Sequence, residues 1–135
     1  MMRIKKIDIV IPVHNHSYWL AACLRSLKKD VIECVENIYV VDDRSRAEEA
    51  ATILHICSEY NKVIHVSNDS SDGGFGFACN LGASKSKADF IVFLNTDCFV
   101  PAGILEKLRD SFELEEKLAL VCPVSNNSPD WCAQL

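Results

Sequence analysis

The 135 residues are 49% hydrophobic and 24% charged, which is the size and apolar content of one globular unit with a continuous core. A net charge of -5 excludes a chain built chiefly to neutralise nucleic-acid phosphates, so no nucleic-acid partner is expected. No apolar run reaches the roughly 18 residues that cross a bilayer, and Pro12 and His14 fall where a signal peptide keeps its apolar stretch, so the expected location is the cytoplasm.

Strand-length apolar runs alternate with segments of helical period. IDIVIPV (Ile7–Val13) predicts a first strand, followed by a helix with Leu20, Cys23, Leu24 and Leu27 on one face and Ser17 as its cap. NIYVVDD predicts a second strand, and Ala50, Ile53, Leu54 and Cys57 form the face of a second helix. VIHVS is a third strand, and the polar, glycine-bearing stretch after it leads into a short helix beginning near Phe75. The run from Asp89 to Leu94 reads as a fourth strand buried on both faces. Pro101 stands where a first helical turn is expected, with Ile104, Leu105, Leu108 and Phe112 as its buried stripe, and LALVCPV predicts a fifth strand. The seven cysteines are odd in number and lack any CxxC; they read as reduced, small core residues rather than zinc ligands.

Apolar strands separated by helices imply a mostly parallel, doubly wound α/β sheet covered on both faces. Ligands bind such sheets outside the carboxyl ends of the strands. The unusual residues fall there: His14 and Asn15 after strand one, Asp42 and Asp43 after strand two, Asn68 to Gly74 after strand three, and Asn95 and Asp97 after strand four. Asp42, Asp43 and Asp97 gathered in one place would repel one another unless a cation sat among them, and a magnesium or manganese ion shared with a substrate phosphate fits that need. Taken singly, each is as readily a cap or turn residue. Gly73 and Gly74 allow a close backbone approach ahead of a helix N-terminus, where a phosphate could sit. As a dinucleotide fingerprint the stretch fails, because Cys79 stands in the third glycine's place. Of the two histidines in HNH (14–16), one is expected to face the site. His55 and His65 are assigned to packing, Trp19 to helix surface or core, and Trp131 to a tail contact.

In their order and spacing, DIVIPVHNHSYWLAACLRSL, IYVVDDRS, VSNDSSDGGFGFACNLGASKSKADFIVFLNTDCFV and LVCPVSNN resemble the N-terminal, nucleotide-sugar-binding half of family 2 glycosyltransferases of the GT-A fold. The resemblance runs from Asp8 to Asn127 and is strongest to bacterial rhamnosyl-type, galactofuranosyl-type, O-antigen and capsule transferases.

The resemblance implies a Rossmann-like GT-A sheet cut off after its donor-binding half: a nucleotide-sugar-binding domain over 1–127, then a tail over 128–135 leading toward an acceptor-binding half. Pro12 to Asn15 would form the first loop, with His14, where Tyr is common, packed against the base or ribose. Asp43 would accept a hydrogen bond from a uracil or thymine ring, and Asp42 would support the turn. Asn68, Gly74 and Asn80 would flank the nucleotide. NTD takes the place of the DXD motif: Asn95 replaces its first acid, Thr96 fills the variable position, and Asp97 would hold Mg2+ or Mn2+. The implied reaction is inverting transfer from a UDP- or dTDP-sugar to a saccharide or lipid-linked acceptor in cell-surface polysaccharide synthesis. The full-length enzyme is expected to admit peripheral association with the inner face of the membrane, and a homodimer. The general base is expected beyond Leu135, so the chain is expected to be a fragment with little transfer activity alone. The alternative is a noncatalytic nucleotide-sugar-binding or assembly domain. A phosphoacceptor receiver module needs its acid pair on strand one, whereas the pair here ends strand two.

Overall fold

The structure, a computed structural model, describes residues 4–27 and 34–123. Eight elements follow one another: β1 (Ile7–Val13), α1 (Ser17–Leu27), β2 (Val35–Asp42), α2 (Ala47–Ser58), β3 (Val63–Ser67), α3 (Phe75–Ala83), β4 (Phe90–Phe93) and α4 (Ile104–Ser111). The strands form one parallel sheet in the order β3-β2-β1-β4. Right-handed crossovers that step from β1 through β2 to β3 put α1 and α2 on one face. The return to the far side of β1 puts α3 on the other. The contacts agree, since α1 packs on α2 while α3 lies on β1 and β2. The winding therefore reverses between β1 and β4, where an open α/β sheet leaves a crevice at its carboxyl edge.

The central strands are covered on both sides, and Ile9, Val10, Ile11, Ile38, Val40 and Val41 are sealed from water. Gly82 lets α3 approach this closely: a Cβ there would lie 2.4 Å from Val10 Cγ1 and 3.0 Å from Val41 Cγ2. At the opposite end of β1, Asp8 is fully buried. Its Oδ1 accepts from the Asn37 amide (2.9 Å) and its Oδ2 from the Ser86 hydroxyl (2.6 Å). Between Ile7 and Asp8 the pairing with β2 shifts by one residue, from Ile7 opposite Val35 to Asp8 opposite Asn37. The Asp8 carboxylate spans this bulge with a side-chain acceptor. Cys23, Cys34, Cys57 and Cys79 are buried free thiols. Burial pushes the Cys23 thiol up to about 12 and the Cys57 thiol up to about 11, so both are neutral, as small core residues should be.

Several sequence expectations require correction. Among the described residues β4 is an edge strand: Ile91 is 37% and Phe93 51% exposed, because an apolar run reports hydrophobicity but not how many neighbours its sheet supplies. Residues 118–123 form no strand and Leu120 is 79% exposed; Val124 lies outside the described residues. Pro101 stands ahead of α4, whose N-cap is Gly103 at φ 79°. Of the α4 stripe Leu105 is buried, while Ile104, Leu108 and Phe112 are half-buried. On α2 the buried positions are Ile53 and Cys57, and both Leu54 and His55 face solvent. Ser17 is the first residue of α1 rather than its cap, and its amide donates to Glu49 Oε2 of α2 (3.0 Å), so the helix start is satisfied from outside. Trp131 lies outside the described residues. The described chain divides into two compact units, one ending at Ala102 and one beginning at Gly103. The sheet and everything at its carboxyl edge belong to the first.

Candidate functional site

A cleft of about 600 Å³ opens at the carboxyl edge of the sheet, lined by residues of the β1 and β2 ends, the starts of α1 and α3, and the turn after β4. Pro12, His14, Asp43, Asn95, Thr96 and Asp97 all border it. Residues 43 and 97, far apart in the chain, therefore share one cavity at the reversal of the winding.

The β2 end is heavily bonded. Asp43 is only 8% exposed. Its Oδ1 accepts from Asn68 Nδ2 (2.8 Å) and its Oδ2 from the Gly74 amide (2.7 Å). Its own amide donates to Val13 O (2.8 Å). Arg44 Nε stands 3.6 Å from Asp43 Oδ1, and Arg44 Nη1 donates to Ser71 O (2.9 Å), closing the 68–74 loop over this corner. Burial pushes the Asp43 carboxyl up, but the Asn68 amide, the Gly74 N–H, Arg44 and His14 together outweigh it and hold the group below the ordinary carboxylate value. Asp43 is an anion whose oxygens are already engaged.

Asn68 holds the loop from within, donating to Asp72 O (2.8 Å) and accepting from the Ser70 amide (2.9 Å) through its Oδ1. Gly74 adopts φ 103°, ψ 168°, a backbone region open to glycine and strained for other residues. The Gly74 amide at the start of α3 thus meets the Asp43 carboxylate, where the sequence suggested a phosphate. Asp42 faces away from the cleft: its Oδ1 accepts from the Ser45 amide (3.0 Å), and its Oδ2 lies 3.9 Å from His65 Nε2. The expected turn support is present, but the three acids do not converge. Among the described residues no group of three His, Cys, Asp or Glu could hold a metal ion.

The β1 loop is fixed through Asn15, which sits at φ 59°. Its amide donates to Ser45 Oγ (2.8 Å), and its Oδ1 accepts from the Arg46 amide (2.7 Å). Both His14 and His16 border the cleft, where a single histidine was expected; strand alternation gives no ground for separating them, since residues two apart share a face. His14 Nδ1 lies 2.7 Å from Asp43 O.

The β4 end is different. Cys23 Sγ donates to Asn95 O (3.7 Å) and the Val100 amide donates to Ser26 Oγ (3.0 Å), so α1 steadies the backbone of this turn. The side chains of Asn95, Thr96 and Asp97 make no hydrogen bond among the described residues, and Asp97 is exposed. One open carboxylate beside an amide suits a hard divalent ion that takes its remaining ligands from substrate oxygens and water.

Asn15, Asp42, Asn68 and Gly74 shape the walls from behind without bordering the cleft, and Asn80 is an exposed residue of α3 outside it. Sequence reasoning missed His16, Trp19 and Phe75, which do border it. The signal for the first two was available: positions 16 and 19 are one turn apart at the start of a helix that leaves β1, and such a turn overhangs the strand's carboxyl end.

The family model described as "Glycosyl transferase family 2" matches residues 8–132. The chain belongs to that family. Among relatives of this family 2 chain, the O-antigen biosynthesis protein RfbC of Myxococcus xanthus is 33% identical over 116 residues, which is 85% of this chain and 9% of RfbC. The glycosyltransferase GlyG of Streptococcus pneumoniae serotype 4 is 26% identical over 111 residues, 82% of this chain and 36% of GlyG. In fold, S. aureus TarS 1–349 in complex with UDP-GlcNAc superimposes with a TM-score of 0.68 at 19% identity, covering 82% of this chain and 32% of TarS 1–349. The mannosyltransferase PcManGT from Pyrobaculum calidifontis, in complex with GDP-Man and Mn2+, gives a TM-score of 0.64 at 16% identity, covering 82% and 31%. This family 2 chain thus spans about a third of GlyG and of these two structures, and a smaller share of RfbC. No helix among its described residues is long and apolar enough to cross a membrane.

Proposed function

We propose that this chain is the donor-binding part of an inverting glycosyltransferase that takes a UDP- or dTDP-sugar and passes its sugar to a hydroxyl of a saccharide or lipid-linked acceptor in cell-surface polysaccharide synthesis. The observation that carries the reading is the single cleft bordered by both the β2 end and the turn after β4. A nucleoside diphosphate has an uncharged heterocycle at one end and a dense negative charge at the other. The cleft offers the hydrogen-bonded corner around buried Asp43, with exposed His14 at its rim, for the first, and the open Asn95–Thr96–Asp97 turn for the second. The UDP-GlcNAc complex of TarS, the Mn2+ complex of PcManGT and the names of the relatives support donor, cation and biological role.

Asp97, helped by the Asn95 amide, would hold Mg2+ or Mn2+ together with diphosphate oxygens. Such an ion, when bound, neutralises charge on the departing nucleoside diphosphate. The chain's own residues bind and orient the donor: Pro12 and His14 floor the nucleoside end, Asp43 and Asn68 keep that corner rigid, and Trp19 and Phe75 line the cleft from α1 and α3.

Isothermal titration of UDP-sugar and dTDP-sugar with and without Mn2+ tests the reading. Cation-dependent binding that weakens at least tenfold in Asp97→Ala is expected, and binding unaffected by both cation and variant sinks the assignment of the turn. Release of nucleoside diphosphate on adding an acceptor extract separates a working transferase from a noncatalytic donor-binding domain.

A further inference from the structure

Two cysteines, far apart in the chain, meet at the turn that carries Asp97. Asn95 O accepts both from Cys23 Sγ of α1 (3.7 Å) and from the Cys98 amide (3.3 Å), so a single oxygen draws the two residues together. Both thiols are free, Cys23 buried and Cys98 partly exposed. Their closeness is felt electrostatically: after burial itself, negative charge on Cys98 is the next cause that holds the proton on Cys23, ahead of Asp97. The two sides of the contact differ in freedom. Cys23 is 1% exposed and shares the buried face of α1 with Leu20, Leu24 and Leu27. The turn opposite carries an exposed Asp97 and is held to α1 by the Cys23 bond and by the Val100 amide on Ser26 Oγ. Bringing the two sulfurs to a bond of about 2.05 Å therefore moves the turn toward the helix, not the helix toward the turn.

We infer that Cys23 and Cys98 are a site of reversible oxidation, closing to a disulfide that draws the Asp97 turn onto α1 and weakens cation-dependent donor binding. The effect on binding rests on the reading of this turn as the cation end of a nucleotide-sugar site. The oxidant is hydrogen peroxide. The accessible Cys98 sulfur attacks one peroxide oxygen: an S–O bond forms, the O–O bond breaks and water leaves, so Cys98 becomes a sulfenic acid. The Cys23 sulfur then displaces the hydroxyl: the S–S bond forms, the S–O bond breaks, and the hydroxyl departs as water with the Cys23 proton. Two thiols give up two electrons and the peroxide takes them. A thiol reductant reverses the change by exchange. In a reducing compartment the bond is a transient response to oxidant, not a part of the resting fold.

The test exposes the full chain to hydrogen peroxide, blocks the remaining thiols and maps linked peptides by mass spectrometry, in the wild type, Cys23→Ala and Cys98→Ser. A peptide joining Cys23 to Cys98 is expected in the wild type, and dithiothreitol removes it. Dimedone reads the intermediate separately: its adduct on Cys98 is expected to accumulate in Cys23→Ala, which has no second sulfur to consume the sulfenic acid. Titration of a UDP-sugar with Mn2+ then compares oxidised with reduced protein. Affinity is expected to fall roughly tenfold on oxidation, the worth of one charge-assisted contact, and to return with dithiothreitol. Peroxide is expected to leave the affinity of Cys98→Ser within about twofold of its reduced value. Should Cys23→Ala fail to fold, the wild type and Cys98→Ser still decide the outcome. An oxidised wild type without the Cys23–Cys98 peptide overturns the inference, and so does a mapped bond that leaves the Mn2+-dependent affinity unchanged. If the reduced protein binds no UDP-sugar, the donor-binding reading and the claimed effect on it both fall, whereas the peptide map still upholds or overturns the bond.

Discussion

The loop after β2 and the turn after β4 border the same cleft, yet their side chains are differently occupied. Around Asp43 the acceptors and donors satisfy one another: Asn68, Gly74, Arg44 and the Val13 carbonyl all engage it. Around Asp97 only the backbone is held, by Cys23 and Ser26 of α1, and the side chains of Asn95, Thr96 and Asp97 have no hydrogen-bond partner among the described residues. One corner is assembled on folding, whereas the other acquires its interactions from whatever binds. A binding site for a two-ended ligand can divide its labour in this way, with rigidity where shape is read and openness where charge and counter-ion must enter together.

Substitutions can break or sharpen this contrast. The largest effect is expected from Asp43→Ala, which leaves the Asn68 amide and the Gly74 N–H without their acceptor in a buried corner. A loss of about 3 kcal/mol follows, read as a lower urea midpoint at unchanged slope. Gly74→Ala comes next: no atom lies within 4 Å of the added Cβ, so the cost is purely that of φ 103° for a residue with a side chain, about 2 kcal/mol. Because Gly74 donates to Asp43, the two losses should add to less than their sum in the double variant, and strict additivity would contradict a shared network.

Acid provides a third handle. The native Asp43 carboxyl is held below its ordinary value, so the folded chain gives up this proton more readily than the unfolded one. Its contribution is complete above about pH 4, the unfolded value, and disappears as pH falls through the native value. Urea midpoints measured from pH 7 down to pH 3 should fall more steeply for the wild type than for Asp43→Asn, and parallel curves would remove Asp43 as an acid-sensitive post. The smallest effect on stability belongs to Asp97→Ala, within about 0.5 kcal/mol, since an exposed side chain with no partner supports nothing in the fold. The same variant should lose the cation dependence of donor binding. Were Asp97→Ala to destabilise the chain as much as Asp43→Ala, the division of labour proposed for the cleft would be wrong.

Much of the architecture was legible because strand and helix periods are written in neighbouring residues. Leu20, Cys23, Leu24 and Leu27 are buried as their spacing requires, and the four strands stand where apolar runs end in polar residues. What the sequence could not tell was the neighbourhood of each element. The run Phe90–Phe93 reads as an interior strand but stands at the edge of the sheet among the described residues, and residues 118–123 read as a strand but adopt none. The site shows the same limit. Pro12, His14, Asp43, Asn95, Thr96 and Asp97 border the cleft; His14, Asp43, Asn95 and Asp97 stand out as polar residues at the strand ends of a doubly wound sheet, whereas Pro12 and Thr96 came from the family resemblance alone. Asp42 does not join the acids that border the cleft, because two adjacent acids on one strand end point to opposite sides, toward His65 and toward Asn68. His16 was set aside although residues two apart on an extended chain share a face, as His14 and His16 do at the cleft. Gly82 carried no signal at all, since only the packed structure shows that α3 rests almost on the Val10 side chain.

The buried Asp8 has a reach beyond its own surroundings. At about 3.3 Å per residue, the six steps from Asp8 to His14 put the two roughly 20 Å apart along one strand. Gripped at its foot by Asn37 and Ser86, β1 behaves as a ruler clamped at its zero mark. The carboxylate at the foot of the strand thus adds to the ladder bonds that fix the height at which the imidazole emerges. A slip of one position at that clamp would turn every outward-facing side chain of β1 inward. An apparently remote acid is therefore a guardian of ligand geometry.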